Sequence, residues 1–228
     1  MKEFLRRTHR VTDLAYGYFQ IARQGFWFID IPRTSSTSIR AELGKRFGKT
    51  HGKINTDKGY ATQQIFEDHL TAREMRKRLG GFLWKKIFTF SIVRNPWDRT
   101  LSMYFFRLKR GTIPSEWTFR DYAIALTSSS PESDLFKYHA SRYGLSDYVT
   151  GDDSEIIVDY IGRFENRETL KVIADRLKFK ELGILSIQSA SPKGKHYSEF
   201  YNEEIRDMVG RFYSKDIELF GYNFEVKS

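Results

Sequence analysis

Two stretches of the chain pair a guanidinium with hydroxyls at the point where an apolar run gives way to helical spacing. In the first, Phe26–Arg40 (FWFIDIPRTSSTSIR), Arg33 is followed by Thr34, Ser35, Ser36, Thr37 and Ser38. In the second, Phe90–Phe106 (FSIVRNPWDRTLSMYFF), Arg94 ends an apolar run and Ser102 follows two helical turns later. Arginine and hydroxyl donors gathered at the positive end of a helix hold a phosphate, or a group shaped like one. Two such places in one chain suit a ligand with two separated phosphate-like groups. Each place also has a plainer reading. The first is an ordinary strand–helix turn with a serine-rich cap, and the second is an Arg94–Asp98 salt bridge.

The elements that must position these residues alternate between strand and helix. Phe26–Ile31 reads as a short buried strand that breaks at Pro32, and Ile39, Leu43 and Phe47 then recur every fourth residue behind a cap at Ser35 or Ser36. Residues 48–65 are rich in Gly and Lys and read as loop with an edge strand, near where an acceptor would enter. Thr71 and Glu74 form a capping-box pattern for a helix over Thr71–Leu79 that ends at Gly80–Gly81. Ile87–Val93 is a second strand, and Asn95-Pro96 opens a helix with Trp97, Leu101, Tyr104 or Phe105, and Leu108 on its apolar stripe. Helices are expected over Phe119–Leu126, Leu135–Tyr143 and Glu168–Leu177, with a third strand over Glu155–Arg163. A polar, basic loop follows over 186–198. Asn202 then caps a last helix through Tyr213 that turns Ile205, Val209 and Phe212 to one side. The alternation predicts an α/β fold with a central parallel sheet flanked by helices, and ligands in such sheets collect beyond the carboxyl ends of the strands. No linker composition or repeat divides the chain, so residues 1–228 are expected to form one domain.

Composition narrows the function. Hydrophobic residues make up 40% and aromatics 16%, enough for a substantial core. The net charge is +9, and the segment Arg73–Arg110 alone carries eleven basic residues against two acidic ones. That local field favours an anionic ligand, or is the solvated face of a basic helix. With no cysteine there is neither a disulfide framework nor a thiolate metal site. The N-terminus is a poor signal peptide and no stretch is long enough to span a membrane, so a cytoplasmic location is expected. IPRTSSTS lacks the glycines and the Lys-Ser/Thr pair of a Walker A loop, which disfavours an NTPase.

The motifs also resemble a known family. IPRTSSTSIR is similar to the 5′-phosphosulfate loop of the sulfotransferases, usually Pro-Lys-Thr-Gly-Gly-Thr-Ser, and VRNPWDRTLSMYFF to their 3′-phosphate motif. DHLTAREMRKRLG resembles their His-containing segment, and VDYIGRFENRETL and KHYSEFYNEEIRDMVGRFYSKDIELFGYNF resemble the C-terminal half. The resemblance runs in order from Phe26 to Phe224 and points to the carbohydrate-type members, bacterial relatives of the heparan sulfate uronosyl sulfotransferases. It implies a P-loop-like three-layer sandwich and 3′-phosphoadenosine 5′-phosphosulfate (PAPS) as co-substrate, with no metal. Arg33 and Thr34, Ser35, Ser36, Thr37 and Ser38 would hold the 5′-phosphosulfate, and Arg94 and Ser102 the 3′-phosphate. Lys193 and Lys195 would close over the nucleotide. His69 falls where relatives carry a catalytic His, so His69 and Arg33 are the candidate catalytic residues; without the resemblance, His69 is a polar residue ahead of the cap at Thr71.

Sulfuryl transfer is mainly alignment plus stabilisation of charge on the leaving oxygen, and an imidazole near neutral pKa suits removal of the acceptor proton. The chain departs from the pattern in two respects. Arg33 stands for the usual Lys, and it can neutralise a leaving phosphate but not protonate it. Ser35-Ser36 replaces Gly-Gly, which would matter if the loop needs positive φ. The expected reaction is sulfuryl transfer to a hydroxyl acceptor, a saccharide in the first instance. The rivals are a nucleotide-dependent kinase of related fold and a non-catalytic module for nucleic acid or acidic glycan.

Overall fold

The computed structural model of the protein describes residues 17–47, 54–56, 59–61, 69–129, 143–180 and 195–226. The helix expected over Leu135–Tyr143 lies outside this set except for Tyr143, and Lys193 lies outside it altogether. The architecture is an α/β sandwich. Helix α1 (residues 17–24) leads into β1 (Phe26–Ile29), and α2 (Ser36–Phe47) follows the next turn. A hairpin β2 (Ile54–Thr56) and β3 (Gly59–Ala61) precedes α3 (Ala72–Trp84), β4 (Phe88–Val93) and α4 (Pro96–Arg110). Then come α5 (Phe119–Ser128), α6 (Leu145–Val149), β5 (Tyr160–Arg163) and α7 (Glu168–Arg176). A short 3₁₀ turn (Tyr197–Phe200), α8 (Glu203–Phe212) and α9 (Ser214–Phe220) complete it.

The main sheet has strand order β1–β4–β5, with both pairings parallel. Successive strand residues face opposite sides, and the two sides bury different partners. Phe26, Phe28, Phe90 and Ile92 pack against Ile39 and Leu43 of α2 and Ile173 of α7. Trp27, Ile29 and Val93 pack on the other side with Ile21 of α1, Met75 and Leu79 of α3, and Tyr148 of α6. A third cluster joins α4, α5 and α8 through Trp97, Leu101, Tyr122 and Val209. The order β1–β4–β5 sets the carboxyl ends of β1 and β4 side by side, with Ile29 opposite Ser91.

Most capping signals act as the sequence predicts. Thr71 and Glu74 close a reciprocal capping box on α3. The Asn95 side chain accepts the Trp97 N–H at the start of α4, whose first helical residue is Pro96. Four boundaries differ. β1 stops at Ile29 rather than Ile31, because the turn toward Pro32 begins at Asp30. Gly80 does break α3 (φ 74°, ψ 154°), but the chain resumes one more helical turn to Trp84. The third strand is only Tyr160–Arg163, because the Asp159 carboxylate accepts both the Thr89 N–H and hydroxyl at 2.7 Å, while Ile156 bridges back to Thr150. Finally, α8 is not the last helix. Its buried stripe continues from Ile205 and Val209 to Tyr213, leaving Phe212 39% exposed, and α9 follows.

Candidate functional site

The turn after β1 is held by the segment after β4. Ser91 donates its hydroxyl to the Ile29 carbonyl at 2.8 Å, and Thr34 closes the turn on the Ile31 carbonyl at 2.8 Å. The buried Arg99 donates Nε to the Pro32 carbonyl at 3.2 Å. Arg94 donates Nη1 to the Arg33 carbonyl at 3.1 Å. These bonds hold two side-chain-bearing residues in the left-handed region, Arg33 at φ 69° and Ser35 at φ 67°. Such conformations persist only where the surroundings over-determine them. Ser35 therefore adopts the backbone that glycine would take at low cost, at the position where the family's loop has its first Gly.

Two guanidiniums meet at this turn. Arg33 donates Nε to Ser102 Oγ at 3.0 Å, and its guanidinium carbon lies 4.8 Å from the centre of the Phe106 ring. Burial, and next the nearby charge of Arg94, push the Arg33 pKa down to about 10. Arg94 is 2% exposed, stacks over Phe164 and donates Nε to Asp98 at 2.8 Å, so the pair expected as its structural role is present. That pair does not exhaust the side chain: Nη2 is buried with no hydrogen-bond partner among the described residues. A buried cationic donor without an acceptor, beside a second, half-buried cation, is unfavourable unless an anion arrives. Helix α2 adds to the same field. Its first turn carries no acidic residue, whereas α3 to α9 each carry at least one there.

His69 reaches the same turn from ahead of α3. Its Nδ1 lies 3.1 Å from the Asp30 carbonyl oxygen and 3.1 Å from Asp30 Oδ2. A carbonyl oxygen only accepts, so Nδ1 carries the proton and Nε2 is the bare nitrogen of the neutral ring. Arg40 of α2 approaches the same Asp30 oxygen at 2.9 Å, and the Ser36 hydroxyl also faces the carboxylate. Burial works to lower the His69 pKa, but the hydrogen bond and charge of Asp30 outweigh it and hold the pKa above its ordinary value. For Asp30, burial opposes ionisation, yet His69 and Arg40 keep its carboxyl below the usual range.

Among the candidates, Arg33, Thr34, Ser35, Ser36, Arg94, Ser102 and His69 all lie on or against this turn. Thr37 is exposed on α2 and Ser38 is half-buried, its N–H donating to the Ser35 carbonyl at 3.1 Å. Ser36 does not cap α2; it is the first helical residue. Lys195 is exposed with its ammonium 5.7 Å from the Phe200 ring centre. The sequence reading missed Asp30, Arg40, Phe106 and Phe164. An acid at the end of an otherwise apolar strand was the available sign for Asp30. Among the described residues no three His, Asp or Glu side chains gather as a metal site, and no helix is long and apolar enough to cross a membrane.

A turn rich in cations lies beyond the carboxyl ends of β1 and β4, where open α/β sheets collect their ligands. The chain belongs to the sulfotransferase family, whose model matches residues 17–223. No curated protein and no solved structure matches it.

Proposed function

We propose that the protein transfers a sulfuryl group from PAPS to a hydroxyl, with a saccharide as the acceptor class that the motif resemblance favours. The observation that carries the reading is the Arg33–Arg94 pair: a half-buried cation beside a buried one that has an unpartnered donor among the described residues. A donor with a 3′-phosphate and a 5′-phosphosulfate supplies the missing negative charge at two points. Arg94 and Ser102 take the 3′-phosphate. Arg33, the N–H groups of the turn and the first turn of α2 take the 5′-phosphosulfate. Arg33 then stabilises charge on the leaving phosphate, and that phosphate needs no proton, so arginine serves where lysine is usual.

His69 removes the acceptor proton through Nε2. The tautomer bound to the Asp30 carbonyl leaves that nitrogen bare. Lys193 and Lys195 are retained as closing residues of the nucleotide site by the motif alone.

The test is transfer of radiolabelled sulfuryl from PAPS to a panel of saccharides, alcohols and phenols. Label appearing in a saccharide, and lost in His69→Ala with PAPS affinity kept, supports the reading. Label confined to inorganic sulfate across the panel overturns it, and so does phosphoryl transfer from ATP with magnesium.

A further inference from the structure

The anion-binding turn explains the arginines but not why a carboxylate is buried three residues before Arg33. Asp30 is only 7% exposed and lies on the rim of a positively charged site, where a carboxylate not offset by Arg40 would work against a donor anionic at two points. Its contacts suggest a different task. Its carbonyl accepts the His69 Nδ1–H, its carboxylate lies beside the same nitrogen, and Arg40 meets that carboxylate from α2. The His69 backbone itself is left-handed, at φ 62°, so the ring is held from both its own backbone and its partner.

We propose that Asp30 is the positioning residue of the transfer reaction, fixing the His69 tautomer with its backbone carbonyl and stabilising the imidazolium with its carboxylate. The proposal rests on His69 being the base. The acceptor O–H bond breaks and its proton goes to Nε2. The acceptor oxygen forms the new S–O bond while the donor's S–O bond to phosphate breaks, and that electron pair stays on the phosphate. The positive charge gained by the ring then faces Asp30. Arg40 holds the carboxylate in place and tempers its effect on the ring. The groups facing the pair are Arg40 and Ser36 from α2 and Tyr148 from α6, the last also facing Arg99 and Glu74. The Tyr148 hydroxyl, pushed far up by burial, stays neutral and does not titrate with the pair.

The experiment combines NMR titration of the His69 ring with pH–rate profiles in the wild type, Asp30→Asn and Arg40→Met. Asp30→Asn keeps the carbonyl bond and removes only the charge. The His69 titration midpoint and the acidic limb of kcat/KM should both move to lower pH. Plateau kcat should fall about 10- to 100-fold, by analogy with lost carboxylate partners of metal-bound imidazoles, with affinity for adenosine 3′,5′-bisphosphate changed less than about twofold. The loss stays below the roughly 10⁴-fold of a triad whose tautomer is wrong, because the carbonyl still sets the tautomer. Arg40→Met should move both quantities the other way, and decides the matter if Asp30→Asn does not fold. A midpoint unmoved in the folded variants overturns the proposal. A midpoint that moves while the rate limb does not, with His69→Ala fully active, overturns the assignment of His69 as base instead.

Discussion

Arg94→Lys isolates the geometry of the proposed 3′-phosphate subsite from its charge. The native guanidinium works in three directions at once: Nε to Asp98 at 2.8 Å, Nη1 to the Arg33 carbonyl at 3.1 Å, and Nη2 with no partner among the described residues. A lysine ammonium is a point charge on a flexible stem and cannot reproduce this fork. It will pair with Asp98 or contact the phosphate, but not both while also bracing the turn. The variant therefore loses one charge-assisted hydrogen bond to the ligand, worth about 1.5–3 kcal/mol, or about 10- to 150-fold in Kd. It also releases the Arg33 carbonyl, so the left-handed turn is less firmly held. The assay is calorimetric titration with adenosine 3′,5′-bisphosphate, with thermal denaturation as the check on folding. Because the site is buried, raising salt should weaken binding only modestly. A folded Arg94→Lys that binds the bisphosphate within twofold of wild type would refute the reasoning, since the unpartnered donor would then not be a ligand group.

Three further outcomes follow from the same contacts. Ser35→Gly relieves a side chain held at φ 67°; it should raise stability by about 0.5–1 kcal/mol after the entropy of the added glycine, read as a Tm gain of about 1–4 °C, with bisphosphate affinity equal or better. Gly162→Ala drives a Cβ into Thr169, whose hydroxyl accepts the Arg163 N–H at 3.0 Å and donates to the Arg163 carbonyl at 2.8 Å; overpacking there should cost about 1–3 kcal/mol in denaturant unfolding. The third concerns pH. The His69 pKa is raised, so its contribution to stability is full below the ordinary 6.5 and fades as pH rises through the folded value. Asp30 is lowered, so its contribution is present above the ordinary 3.8 and fades only as pH falls through its folded value. Stability should therefore decline on the alkaline side of 6.5, and His69→Gln should flatten that decline in thermal melts across pH.

What the sequence made legible were the features written in adjacent residues. The Thr71–Glu74 box, the Asn95-Pro96 start of α4 and the alternation of strands with helices depend on neighbours within four positions, and all three stand as read. Arg33, Arg94 and Ser102 were also legible, because cation–hydroxyl clusters at strand ends have a local signature; that Arg33 and Ser102 touch is a matter of sheet order. The misses were long-range. Asp30 finds His69 across 39 residues; an acid closing the apolar run FWFID marks Asp30 as unusual but does not name its partner. Asp159 truncates the third strand through Thr89, 70 residues away. Tyr213 replaces Phe212 on the α8 stripe because a following helix packs there, which spacing within α8 does not reveal.

The most direct test of the central claim is calorimetric binding of adenosine 3′,5′-bisphosphate beside adenosine 5′-phosphate, adenosine 3′-phosphate and ATP with magnesium. The bisphosphate should fill one site, with each monophosphate weaker by at least about tenfold, since each lacks one of two charge-assisted contacts worth about 1.5 kcal/mol or more. Equal binding of a monophosphate, or preference for ATP with magnesium, would contradict it, for the Arg33–Arg94 pair would then not be a clamp for two separated phosphates.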